Sequence, residues 1–109
     1  MSQFDVHKNI GKHRAFIPYV VIVQSSLFDS YRRRVVIPLV RSSHLDNAAA
    51  LANSSLNPVF TVKGMKVVLH PLEMVSVAAD QLGEKVASLA KEGDRITNAM
   101  DELLTRAWA

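Results

Sequence analysis

Four histidines, one Ser/His/Asp cluster and one run of arginines are the residues of this 109-residue chain whose types could support chemistry. The histidines are scattered without the spacing of metal ligands, so we predict neither a metal site nor another cofactor. They are His7, His13, His44 and His70. The segment Ser42-Ser43-His44-x-Asp46 contains the residue types of a hydrolase triad. Because adjacent residues seldom aim at one another and no oxyanion-hole motif accompanies them, we interpret this segment as turn and cap chemistry.

The basic run consists of Arg32, Arg33 and Arg34, and it lies beside a predicted strand. Such a run is typical of a solvated strand entrance, which is the interpretation we favour. The alternative is that these cations hold an acidic protein segment or RNA phosphates. The formal net charge of +3 favours acidic partners over dedicated nucleic-acid binding, which usually needs a denser basic patch.

The chain contains no cysteine, which excludes disulfides, thiolate nucleophiles and cysteine-based zinc sites. The first residues lack the basic and then apolar regions of a signal peptide, and the longest apolar run, residues 16–23, is too short to cross a bilayer. We therefore expect one cytoplasmic domain that spans residues 1–109.

The sequence pattern places strands first and a helix last. Strands are predicted from alternation and β-branched content at residues 3–6, 16–24, 34–40, 57–62, 65–70 and 74–79. Residues 8–14 are a predicted hairpin loop, and Lys63-Gly64 is a predicted turn. Pro18 and Pro38 must occupy bulges or unpaired edge positions, which favours a bent, barrel-like sheet. Residues 45–51 are predicted as a short helix after a Ser43 cap, with a loop as the alternative.

One continuous helix is predicted from residue 83 or 84 to the end, because apolar residues stay in helical phase across Gly93. They are Val86, Leu89, Ile96 and Met100. A glycine inside a helix costs about 1 kcal/mol relative to alanine, so a restart at Asp94 is the alternative.

The single tryptophan, Trp108, is the penultimate residue of the sequence. Since tryptophan is enriched at binding anchors, one interpretation is that Trp108 is presented to a partner. The other is that it packs back on the barrel or on a dimer seam. The sequence alone favours neither.

Three blocks of residues, in order along the chain, resemble one protein family. They are Gln3-Phe4-Asp5-Val6; Val23-Gln24-Ser25 with Leu27-Phe28-Asp29 and Arg33-Arg34-Val35-Val36-Ile37-Pro38-Leu39; and Gly83-Glu84-x-Val86-Ala87-x-Leu89 running into Asp94-x-Ile96-x-Asn98-Ala99-Met100. This pattern resembles the CcdB family of toxins. The resemblance implies a mainly β, α+β fold: an SH3-like barrel, similar to MazF, with a small accessory sheet and a long C-terminal helix. It also implies a symmetric homodimer with Met100, Leu103 and Leu104 near the seam.

The resemblance further implies a function. The family's toxins bind the A subunit of DNA gyrase, trap the enzyme with its DNA cleaved, and are neutralised by a flexible CcdA-like antitoxin, without catalysing a reaction themselves. Leu27 and Phe28 match the loop shared by gyrase and antitoxin, although a loop hydrophobe tucked beneath the barrel is the alternative. The antitoxin-binding residues implied here are Leu27, Phe28, Asp101, Leu104 and Trp108.

The sequence departs from the family at the end of the helix. Where the family has Trp-Gly-Ile, this chain has Thr105, Arg106 and Ala107, and it continues through Trp108 to Ala109. On a helix, Trp108 lies only about 4.5 Å further along than Thr105, where the family's tryptophan falls, so its indole would reach a neighbouring part of the same target surface. We therefore predict that these five residues bind gyrase. Arg106 either pairs with a partner carboxylate or complements the helix dipole.

Two other functions stay open. MazF and Kid toxins, which resemble the same fold, cleave messenger RNA, and such an enzyme would need a general acid and base beside phosphate-binding cations. Arg32 to Arg34 would supply the cations, but no carboxylate or histidine is convincingly placed with them. The other possibility is a homologue that binds its antitoxin but has lost gyrase poisoning.

Overall fold

The computed structural model describes residues 1–45 and 54–105. In this part of the chain, seven strands form one antiparallel sheet that curls into a half-barrel, and one α-helix follows. The elements are β1 (Asp5–Asn9), β2 (Tyr19–Ile22), β3 (Arg33–Arg41), β4 (Val59–Val62), β5 (Met65–Leu69), β6 (Val75–Ala78), β7 (Leu82–Ser88) and α1 (Gly93–Thr105). The predicted mainly β architecture with a C-terminal helix is confirmed. Within the described ranges, no helix is long and apolar enough to traverse a bilayer.

β3 organises the sheet, whose strand order is β4-β5-β3-β2-β1-β7. One edge of β3 pairs with β2, while its other edge is shared, residues 33–36 pairing with β6 and residues 39–41 with β5. Pro38 falls between these two stretches, where its missing N–H costs no ladder hydrogen bond. Its carbonyl accepts a hydrogen bond from the His70 N–H at 3.1 Å. Pro38 nevertheless pairs with Val20 of β2, so the predicted bulge or unpaired edge position holds only for the edge of β3 that faces β5 and β6. Pro18 precedes β2 and lies outside the strand.

The main core lies between one face of the sheet and α1. Val21 and Ile37 are partners across β2 and β3, and both are fully buried with Ile96 and Ala99 of the helix. A smaller cluster of Val20, Ile22 and Val36 occupies the opposite face, as expected when successive strand residues alternate between faces.

The hairpin of β4 and β5 confirms its prediction. Lys63 has φ 53° and Gly64 has φ 78°, so both turn residues are left-handed, as a two-residue type I′ hairpin requires. The loop between β1 and β2 begins after Asn9, because β1 continues through the residues predicted to open it.

The predicted start of the helix is wrong. The helix begins at Gly93, and residues 82–88 form β7, which pairs with β1 through Val6 and Ala87. A 3₁₀ turn, Ala90–Glu92, separates β7 from α1, so the helical phase shared by Val86 and Ile96 is a coincidence of spacing across two elements. The alternative restart at Asp94 is closer to the structure.

The predicted helix near Ser43 lies mostly outside the described residues. Ser42–His44 forms a 3₁₀ turn, and Leu45 after it is extended, with φ −107° and ψ 119°. Leu45 therefore does not begin a helix, and Asp46 and the residues up to 53 are not described.

Candidate partner-binding surface

The β2–β3 loop, residues 23–32, presents large apolar side chains to solvent. Leu27 is 86% exposed and Phe28 is 49% exposed, so the alternative of a hydrophobe tucked beneath the barrel is wrong for both. A 3₁₀ turn, Ser26–Phe28, sets their direction. The Ser25 Oγ caps this turn by accepting from the Leu27 N–H at 3.3 Å, and the Ser25 carbonyl accepts from the Phe28 N–H at 3.0 Å.

Tyr31 extends this apolar surface, although the sequence analysis did not single it out. Its ring meets that of Phe28 edge to face, with centroids 6.0 Å apart and an interplanar angle of 84°. It is 66% exposed, and its N–H donates to the Phe28 carbonyl at 3.1 Å. The signal that would have found it is an aromatic residue three positions after Phe28 in an otherwise polar loop.

The three arginines of the basic run have different environments. Arg32 is exposed, while Arg33 donates from Nε to the Ser76 Oγ at 2.8 Å and from Nη2 to the Ser76 carbonyl at 2.6 Å. Arg34 is buried, with 6% of its surface exposed. The interpretation as a solvated strand entrance is therefore wrong for Arg34. The run also does not form a cluster of three free cations of the kind that would bind RNA phosphates.

The end of α1 carries the other predicted contact residues. Asp101 and Thr105 are exposed, and Leu104 is 60% exposed. Met100 and Leu103 are half-buried, Met100 packing against the main core. Arg106, Ala107, Trp108 and Ala109 lie outside the described residues, so both interpretations of the tryptophan stay predictions.

The histidines occupy unrelated places. His7 is buried, and its Nδ1 lies 2.8 Å from the Gly83 carbonyl, to which it must donate. His13 and His44 flank the ring of Phe16 at centroid distances of 5.3 and 5.9 Å. Across residues 1–45 and 54–105, no three His, Asp or Glu side chains are grouped to hold a metal ion.

The clearest electrostatic pair ties β1 to β7, away from the loop. The Lys8 Nζ lies 2.7 Å from Glu84 Oε1. This hydrogen-bonded contact, with the Coulombic attraction that accompanies it, raises the pKa of Lys8 and lowers the pKa of Glu84. Both groups are exposed, so the pair affects sheet stability weakly and contributes nothing to the loop surface.

A small curled sheet buries one side of a helix, and a capped loop holds apolar side chains outward, an exposed patch of the kind that is typical of protein–protein contact sites. Residues 3–105 match the family model described as CcdB protein, and the chain belongs to the CcdB family. The members of this family are toxins of toxin–antitoxin systems, which act by binding rather than by catalysis.

Proposed function

We propose that this chain is the toxin of a type II toxin–antitoxin system, that it binds the A subunit of DNA gyrase and traps the gyrase–DNA cleavage complex, and that a CcdA-like antitoxin neutralises it. The observation that carries this proposal is the exposure of Leu27 on a loop that, by its resemblance to the family, corresponds to the loop shared by gyrase and antitoxin. A leucine at 86% exposure gains little from its own fold, whereas its burial against a partner contributes about 1.5–3 kcal/mol.

The second part of the proposed surface is the end of α1. Asp101 and Leu104, both exposed, would contact the antitoxin, and residues 105–109 would contact gyrase. A homodimer that joins two helix ends near Met100, Leu103 and Leu104 would bring two copies of this surface together. An antitoxin that covers the same residues would then neutralise the toxin by competition.

The different environments of the three arginines support protein binding over ribonuclease chemistry. A ribonuclease would need its phosphate-binding cations free, and Arg34 is instead engaged within its own loop. A second candidate function has an observation of its own: Thr105, Arg106 and Ala107 replace the family's Trp-Gly-Ile, which supports a homologue that binds antitoxin without poisoning gyrase.

The experiment that tests the proposal is a plasmid cleavage assay with purified gyrase, with RNA degradation assayed in parallel. We expect the wild-type protein to accumulate linear plasmid and to leave RNA intact. Leu27→Ala should weaken trapping, whereas Ile10→Ala, at a residue 54% exposed in the β1–β2 loop at the opposite end of β2, should not. Wild-type protein that never traps gyrase but binds a CcdA-like antitoxin would establish the second candidate, and RNA cleavage would overturn both.

The same assay tests the role of Trp108 at the end of the sequence. If Trp108 is a partner anchor, Trp108→Ala should abolish trapping with little change in melting temperature, since loss of a buried anchor costs about 2 kcal/mol or more in binding, roughly thirtyfold in affinity. If it packs on its own dimer, the same change should instead lower the melting temperature.

A further inference from the structure

Arg34 is tied to the β2–β3 loop by hydrogen bonds to its backbone. Its Nη1 donates to the Tyr31 carbonyl and, at 2.9 Å, to the Arg33 carbonyl. Its Nη2 donates to the Asp29 carbonyl at 2.8 Å. A planar guanidinium holds its donors in a fixed fork, so one side chain fixes several carbonyls of the loop at once.

Gln24 also bonds to the backbone of this loop and of β3. Its Nε2 donates to the Phe28 carbonyl at 3.1 Å and to the Arg33 carbonyl at 3.2 Å, while its Oε1 accepts from the Val35 N–H at 3.2 Å. Backbone groups that have partners inside the protein do not need water, so the loop conformation is defined by the fold itself.

Two buried polar atoms of this arrangement have no hydrogen-bond partner: Arg34 Nε and Asp29 Oδ1. Burying a donor or an acceptor without a partner costs free energy. The hydrogen bonds that Arg34 does make fix where its guanidinium lies, and with it the carbonyls of Tyr31 and Asp29.

We propose that Arg34 is a positioning residue that preorders the β2–β3 loop, so that Leu27, Phe28 and Tyr31 form one rigid apolar surface. The partner that fits this surface is a protein segment with apolar side chains flanked by a carboxylate, since the exposed Arg32 follows Tyr31 directly. The proposal rests on the proposed function, because it requires this loop to contact the partner. A preordered loop binds more tightly because less conformational entropy is lost on association.

The first test measures loop order in the protein alone. We expect wild-type backbone order parameters at residues 26–31 near those of the strands, about 0.85, rather than below about 0.6. In Arg34→Lys and Arg34→Met, amide exchange at Phe28, Asp29 and Tyr31 should become about tenfold faster relative to Val21 in β2. Arg33→Lys is the matched control, because Arg33 donates to Ser76 and not to the loop. Order parameters below about 0.6 in wild-type protein would overturn the proposal even if both Arg34 variants failed to fold.

The second test measures affinity for the purified gyrase A subunit by calorimetry. We expect Arg34→Lys to weaken binding about tenfold, Tyr31→Ala to weaken it comparably, and Arg33→Lys to leave it unchanged. Unchanged affinity in Arg34→Lys, alongside weakened binding in Leu27→Ala, would overturn the positioning role and leave the proposed function intact. Unchanged affinity in Leu27→Ala, or wild-type protein that does not bind the subunit, would instead contradict the proposed function; the first test then decides the role of Arg34 alone.

Discussion

Gly93, the first residue of α1, lies against the ring of Phe4 so closely that a Cβ on Gly93 would stand 2.6 Å from Phe4 Cε2. Phe4 has φ 70°, in the left-handed region, and its backbone is bonded on both sides. Its N–H donates to the Ile22 carbonyl at 2.6 Å, and its carbonyl accepts from the Leu89 N–H at 2.9 Å. Phe4 therefore joins the start of the helix to the sheet, and only glycine at position 93 leaves room for its ring.

We predict that Gly93→Ala destabilises the protein, although alanine is the better helix former. Displacing the Phe4 ring should cost about 1–3 kcal/mol, more than alanine gains at the first helical position. For a chain of this size, each kcal/mol lowers the melting temperature by about 4–8 °C in a thermal melt.

The steric cause of that loss is separable by a double-mutant cycle. In a Phe4→Ala background, the ring is gone, so Gly93→Ala should cost little or even stabilise. An equal loss in both backgrounds would show that the ring is not the reason for the glycine.

The sequence predicted those elements whose signals are local. β3 was predicted from its run of β-branched residues, and the hairpin from the two-residue turn at Lys63-Gly64. Both signals lie within a few neighbouring residues. β7 was missed because its pairing with β1 joins residues about eighty positions apart, and a seven-residue step from Leu89 to Ile96 imitated a helix. No local pattern reveals that Phe4 occupies the space beside Gly93.

The candidate surface was predicted in the same uneven way. Leu27 and Phe28 were found through the family resemblance, and their exposure agrees with it. The sequence analysis interprets Arg34 with its neighbours as solvated, and because the residues that follow it in β3 are apolar in both strand phases, alternation could not show that Arg34 is buried. Its carbonyl acceptors become neighbours only when the loop folds.

Arg95 provides a second stability prediction, because it connects α1 to β4. Its guanidinium carbon lies 4.4 Å from the centroid of the Phe60 ring, and its Nη2 donates to the Val59 carbonyl at 2.8 Å. Arg95→Met keeps the side-chain stem but removes both of these contacts, together with an ion pair to Glu92, so we expect a loss of about 1–2 kcal/mol in denaturant unfolding.

A matched change isolates the ion pair of the same arginine. Arg95 Nη1 lies 2.7 Å from Glu92 Oε1, and both side chains are 45% exposed. Glu92→Gln should therefore cost less than about 1 kcal/mol. A loss as large as that of Arg95→Met would mean that the ion pair, rather than Phe60 and Val59, is the important contact.

The Lys8 and Glu84 pair gives a pH dependence whose sign follows from the pKa shifts. The pKa of Glu84 is lowered in the folded protein by its hydrogen bond to Lys8, so its contribution is present above the unfolded value of about 4.3 and is lost as the pH falls through the folded value. Lys8, whose pKa is raised, loses its contribution only in strongly alkaline solution. Glu84→Gln should therefore melt slightly below wild type at pH 7 and together with it near pH 3. Glu73→Gln, at an exposed glutamate on a 3₁₀ turn, is the control, and a difference that persists in acid would contradict the assignment.

The last prediction concerns assembly, and it uses Leu104 because that side chain is 60% exposed in the single chain. If two copies meet at the helix ends, Leu104→Glu would place a charge in the seam, where its desolvation is unfavourable, and should convert a dimer into a folded monomer. Met100→Glu would be less informative, since Met100 also packs against the core and its replacement would destabilise the monomer. Ile10→Glu makes the same change at a residue of similar exposure, 54%, in the β1–β2 loop, and should leave the assembly as it is. Sedimentation equilibrium distinguishes the two variants: a Leu104→Glu protein that stays dimeric would place the interface elsewhere, and dissociation in both would point to a general effect of added charge.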